Sequence, residues 1–170
     1  MSNTSVAVTG LADLNRLLQQ LPAKVEAKVL RGGLRAGAKV IADEAKRLCP
    51  ESPPSATAKK YGATSGELRR SIRVSMRSRR GVVQAFVKAG NKRAFYAHMV
   101  EYGTARHWIK PKSRKSLLVA RAFREAVDHP GAKRRPFMRP ALDSKSAAAI
   151  EAMADYMRAR LPKEFAKVKS

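Results

Sequence analysis

The apolar residues of this chain change period twice, and that change constrains the fold more than any other feature. Leu30, Leu34, Ala38, Ile41, Ala45 and Leu48 recur at helical spacing. Ile72, Val74 and Met76 then alternate with Arg73, Ser75 and Arg77, and Val83, Ala85 and Val87 continue the alternation. Ile150, Met153, Ala154, Met157 and Leu161 return to a helical stripe. Side chains repeat about every 3.6 residues around a helix and every second residue along a strand. The pattern therefore predicts an α+β fold in which a β-hairpin, part of a mainly antiparallel sheet, packs with N-terminal helices and a long C-terminal helix.

Local signals sharpen the outline. Leu11, Leu14, Leu18 and Leu21 predict a short amphipathic helix that stops near Pro22. Gly32, Gly33 and Gly37 each cost about 1 kcal/mol inside a helix relative to alanine. They imply either a break near Gly32 or close packing against another element. Pro50 ends that helix, and residues 51–63, rich in Ser, Pro, Ala and Lys, read as an exposed loop. Thr64-Ser65-Gly66-Glu67 has capping-box spacing, so Leu68–Ser71 is expected to begin as a helical turn. Ser78-Arg79-Arg80-Gly81 suits the turn of the first hairpin. Ala94–Tyr102 reads as a short helix with Tyr96, Ala97 and Val100 facing inward, ended by a left-handed Gly103. Between Lys112 and Val127 two readings stand: Val119, Phe123 and Val127 suit a helix, and Leu117-Leu118-Val119 suits a strand. Pro140 is a good first helical residue and Pro162 a natural stop. The expected organisation is one domain over 1–170, with a flexible N-terminus (1–10), a basic hairpin or loop insertion (106–139) and a flexible tail (162–170).

Charge is the unusual part of the composition. The 170 residues carry 36 Lys or Arg against 13 Asp or Glu, a net +23. Repulsion on that scale favours an anionic partner. With 6% aromatic residues there are few platforms for stacking bases, so phosphate or acidic-protein contact is favoured over base reading. No apolar run is long enough to span a membrane, and no signal peptide is expected at the polar N-terminus. The single Cys49 ends an apolar helical series and reads as a buried small residue of a protein made in a reducing cytoplasm.

The chemical motifs are sparse. His98, His107 and His129 are spaced by 9 and 22 residues, which matches no metal-ligand pattern, and no cysteine pair supports them. There is no Gly-x-Ser-x-Gly and no glycine-rich cofactor loop. Glu125, Asp128 and Asp143 are the acids between Tyr102 and Ile150, too dispersed for a two-metal centre. No enzyme activity, cofactor, metal or small-molecule ligand is expected. Glu101, a lone acid in an apolar helical turn, reads as structural: it pairs with a hairpin arginine, or Thr104 satisfies the backbone groups freed after Gly103, with an intersubunit salt bridge as the alternative. The basic residues cluster instead, with 11 Lys or Arg from Lys59 to Arg93 and 11 from Arg106 to Arg139. Surface charge ordinarily mixes both signs, so Arg73, Arg77, Arg79, Arg80, Lys110, Lys112, Arg114, Lys115, Lys133, Arg134 and Arg135 are candidates to line a DNA path or dock a partner.

Four phrases go further than composition. Ser65-Gly66-Glu67-Leu68-Arg69-Arg70-Ser71-Ile72, Tyr96-Ala97-His98-Met99-Val100-Glu101-Tyr102-Gly103-Thr104, His129-Pro130-Gly131 and Arg135-Pro136-Phe137-Met138-Arg139-Pro140-Ala141-Leu142 stand in this order. Together they resemble the gene-product-ten family of HK-type tailed phages, over about Leu11 to Leu161. The resemblance makes Gly66, Leu68, Tyr96, Glu101, Tyr102, Gly103, Thr104, His129, Pro130, Gly131, Pro136, Phe137 and Pro140 structural signature positions. It favours a second hairpin between Lys112 and Val127. It also implies a virion structural protein of the neck, a sixfold or twelvefold ring of identical subunits. The implied neighbours are a head-closure or connector protein and a tail-tube or tail-terminator protein, with genomic DNA phosphates as a further partner. Tail completion, tail termination and head closure all fit such a ring. The other reading is a free, sequence-independent nucleic-acid-binding protein of a phage or prophage.

Overall fold

The computed structural model describes residues 23–51, 64–79, 82–111, 116–119 and 122–169. The expected helix at Leu11–Leu21, the flexible N-terminus 1–10 and most of the 51–63 loop lie outside them, as do Arg80, Lys112, Arg114 and Lys115. The fold is α+β. Helix α1 (Ala23–Leu48) leads to a single turn α2 (Glu67–Ser71) and the hairpin β1 (Arg73–Arg79) and β2 (Val82–Lys88). Helix α3 (Ala97–Tyr102) follows, then short strands β3 (His107–Ile109), β4 (Leu117–Val119), β5 (Ala122–Arg124) and β6 (Val127–His129). Helix α4 (Met138–Lys169) closes the chain.

The strands form three separate two-stranded antiparallel pieces, β1–β2, β3–β6 and β4–β5, rather than one sheet. β1 and β2 pair from Arg73 opposite Lys88 to Arg79 opposite Val82. Their alternation is the expected one: Val83, Ala85 and Val87 are half-buried while Val82, Gln84, Phe86 and Lys88 are exposed. The open choice over Lys112–Val127 resolves to a hairpin, with Leu117, Leu118 and Val119 opposite Arg124, Phe123 and Ala122.

The glycines of α1 mark close packing, not a break. The helix is continuous through Gly32, Gly33 and Gly37, and α4 lies along it. A Cβ on Gly37 would stand 2.6 Å from the Ala149 carbonyl oxygen, a backbone atom of α4 that has no rotamer to move. Glycine's helix penalty is accepted so that two backbones can approach. Two apolar clusters result. One joins Ala42, Ala45, Cys49, Leu68, Ile72, Ala94, Ala97, Phe137 and Ala141, and the other joins Val29, Met157 and Leu161. The predicted α4 stripe accordingly faces α1.

Three local expectations are corrected. Pro162 does not stop α4, which runs on to Lys169, so the expected flexible tail 162–170 is helical as far as that residue. A proline inside a helix costs about 3 kcal/mol, but Leu161 is buried just before it and Phe165 packs against the Val29 cluster just after it. That burial outweighs the lost hydrogen bond. The capping box does not form either: Gly66 caps α2 in the left-handed conformation (φ 73°) with no side-chain cap bond. Arg70 instead reaches back to the Ser65 carbonyl at 2.8 Å and to the Thr64 hydroxyl. Gly103 has positive φ (75°) but ψ near −177°, so the chain leaves α3 extended instead of curling left-handed.

Candidate assembly surface

The signature phrases, far apart in sequence, meet at one junction. Helix α4 begins after Phe137, whose side chain has no acceptor with which to cap it. Glu101 supplies the cap from 36 residues away: its carboxylate accepts the backbone N–H of Phe137 (2.8 Å), Met138 (2.9 Å) and Arg139 (3.0 Å). An anion at a helix N-terminus satisfies free donors and complements the helix dipole. Glu101 is 7% exposed, and among the described residues its oxygens take the N-terminal N–H groups of α4 instead of the expected hairpin arginine. Arg135 N–H donates to the Val100 carbonyl at 2.8 Å, and Thr104 and Ala132 exchange backbone bonds of 3.0 and 3.1 Å. The Thr104 hydroxyl also accepts from Ala132 N–H at 2.8 Å. Close backbone approach explains the glycines here. A Cβ on Gly103 would meet the Ala132 oxygen at 2.7 Å, and Gly131 (φ 87°) sits against the Thr104 and Ala105 backbone.

The other signature residues support the same junction or the core. Leu68 and Phe137 are buried, Tyr96 packs at the start of α3, and Pro140 lies in the first turn of α4. His129 is half-buried in β6 opposite His107, with ring centroids 5.0 Å apart. Its Nδ1 accepts from Gly131 N–H at 3.0 Å, just beyond Pro130. Pro136 is exposed, and Tyr102 is 79% exposed.

From this junction the described residues of 105–131 form an arm of two short antiparallel strand pairs, β3–β6 and β4–β5. Arg106 clamps its base to Asp128 with two bonds of 2.9 Å from Nε and a further one from Nη2. The guanidinium holds the Asp128 carboxyl below its ordinary range. Among the described residues, neither buried cluster contains one from the arm. Trp108, Leu118 and Phe123 are 63%, 65% and 75% exposed.

The body carries a second apolar surface. An open groove of about 660 Å³ runs between α1, α4, β2 and α3, floored by Gly37, Ala38, Ala149 and Ile150. Phe86, Tyr102 and Leu142 line it while remaining exposed.

The candidate basic residues divide between regions. Arg73, Arg77 and Arg79 share one exposed face of β1, because strand residues two apart point the same way. Arg73 also binds the Ser71 and Gly90 carbonyls at 3.1 and 2.6 Å, bracing the base of the hairpin. Lys110 lies on the arm, and Lys133, Arg134 and Arg135 lie on the exposed strand of chain returning to α4. No three of His, Cys, Asp and Glu lie together as a metal site among the described residues. Cys49 is buried, and loss of hydration, with Glu51 nearby, pushes its thiol up to about 11. No helix among the described residues is long and apolar enough to cross a membrane.

The described residues thus form a small α+β body with a capped junction, an arm and two exposed apolar surfaces. The chain belongs to the phage family described as "Bacteriophage HK97-gp10, putative tail-component", whose model matches residues 12–103, more than half of the 170. No curated protein and no solved structure matches it. The matched stretch ends at Gly103, where the arm begins, so the phrases at His129–Gly131 and Arg135–Leu142 lie beyond it.

Proposed function

We infer that this tail component works as a ring subunit at the head–tail junction, joining the tail to the capsid connector around the DNA path. The observation that carries this reading is the arm. A two-stranded hairpin is at best marginally stable alone in water, and this one projects large apolar side chains without a core of its own. Such an element is completed by a neighbour, and identical neighbours related by a closing rotation form a ring.

The basic excess fits the same place. DNA crossing a junction of fixed composition must be held without regard to sequence, and lysine and arginine contacts to phosphate do that. The exposed row Arg73, Arg77 and Arg79 on β1 supplies a surface of that kind. That row also supports the second reading, a free nucleic-acid-binding protein.

Deleting the gene from the phage that carries it separates the two readings. A neck subunit leaves filled heads and finished tails unjoined in electron micrographs, and adding the purified chain to the lysate restores joined particles. Joined, infectious particles from the deletion overturn the neck assignment.

A further inference from the structure

Among the described residues, the arm and the groove are two unpartnered apolar surfaces. In register, Leu118 lies directly opposite Phe123, so both side chains stand on the same face of the β4–β5 hairpin. At 65% and 75% exposure they form an apolar knob at the far end of the arm. The groove between α1, α4 and β2 has the opposite shape, a concave apolar floor within an exposed rim of Phe86, Tyr102 and Leu142. Its volume of about 660 Å³ falls in the range of about 300–1,000 Å³ typical of sites that engulf an apolar group.

We propose that the Leu118–Phe123 knob of one subunit seats in the α1–α4–β2 groove of the next copy. The proposal rests on the ring reading above and names its contact. Knob and groove are different patches, so the contact is heterologous: each copy gives its knob to one neighbour and receives a knob from the other. Contacts of that type close into rings or run on into filaments, whereas a self-complementary patch would stop at a dimer. Charge argues for an apolar contact as well. Two copies of a +23 chain repel over most of their surfaces, so attraction has to come from apolar surface. The groove floor and the facing pair Leu118 and Phe123 provide it, with Glu101 and Arg139 the two charged residues of the groove lining. The arm's tether favours a neighbour too, since the Thr104–Ala132 bridge and the Arg106–Asp128 clamp hold its base in an extended exit from the junction.

Cysteine pairing tests the contact on the full chain. In a Cys49→Ser background, Leu118→Cys protein is mixed with Leu142→Cys protein, oxidised mildly and separated by size without reductant. The expected result is a covalent dimer from the mixture and none from either protein alone. Sedimentation of a Phe123→Asp chain supplies the second reading, with subunit association weakened roughly 30-fold or more, as for an interface anchor. Its circular dichroism and melting should match the parent. Dimers from Leu118→Cys alone would mean knob-to-knob pairing and overturn the proposal. An intrachain link in a Leu118→Cys/Leu142→Cys chain, or in a Leu18→Cys/Leu142→Cys chain, would do the same, because the groove would be filled from within. A closed oligomer without the 118–142 link rejects this contact and leaves the ring standing. A chain that stays monomeric, with no link, rejects both.

Discussion

The seam between α1 and α4 and the arm at residues 105–131 treat apolar surface in opposite ways. Along the seam, Gly37 sits against the Ala149 carbonyl, and Val29, Met157 and Leu161 are almost wholly buried. The helices cover each other's apolar faces within one chain. In the arm, Trp108, Leu118 and Phe123 remain open to solvent, and pairing is limited to three residues per strand. The contrast separates the residues that hold the body together from those that the arm leaves open to solvent. Glu101 stands between them, because the acid that caps α4 also lines the groove.

The comparison breaks most visibly at Phe137, which is fully buried where the arm rejoins the body. Phe137→Ala should cost about 3–5 kcal/mol through lost burial and a residual cavity, read as a large fall in melting temperature. Gly37→Ala comes next. Helix propensity alone would favour alanine by about 1 kcal/mol, yet the Cβ meets backbone, and overpacking costs about 1–3 kcal/mol. A net loss is expected, and a rise in melting temperature would show that the seam has slack. Glu101→Gln should cost about 1–2 kcal/mol, since a carboxamide keeps one acceptor oxygen, loses the charge and turns an NH₂ toward backbone donors. Denaturant titration at constant m-value measures it.

The smallest effect belongs to the arm. Pairing with Arg106 depresses the Asp128 carboxyl below its ordinary value of 3.8. A depressed carboxyl gives stability that is full above its unfolded value and lost as pH falls through the folded one. Acid should therefore loosen the base of the arm. Trp108, the single tryptophan, sits opposite Asp128 and reports the change in fluorescence. An emission spectrum constant from about pH 5 to about pH 2 would show that the clamp does not hold the arm.

Much of the body was legible in the sequence because burial imposes a period. The α1 and α4 stripes, the β1–β2 alternation and the inward residues of α3 all follow from it. The Pro162 stop failed because propensity is local, whereas Leu161 and Phe165 are held by residues more than a hundred positions earlier. The role of Glu101 was half-legible. A lone acid in an apolar turn needs a partner, and a helix opening after Pro136-Phe137 lacks a cap of its own, but nothing in the spacing joins the two. The groove was the least legible part. Its floor comes from α1, α4 and β2 together, and a concave surface leaves no period in any one of them.

Amide hydrogen exchange, followed by mass spectrometry on the full chain before and after assembly, tests the division between body and arm most directly. In the unassembled chain, α1 and α4 should exchange only through global unfolding. The β4–β5 amides should exchange orders of magnitude faster and become protected on assembly. An arm as protected as α1 in the unassembled chain, or one whose exchange is unchanged by assembly, would contradict that division.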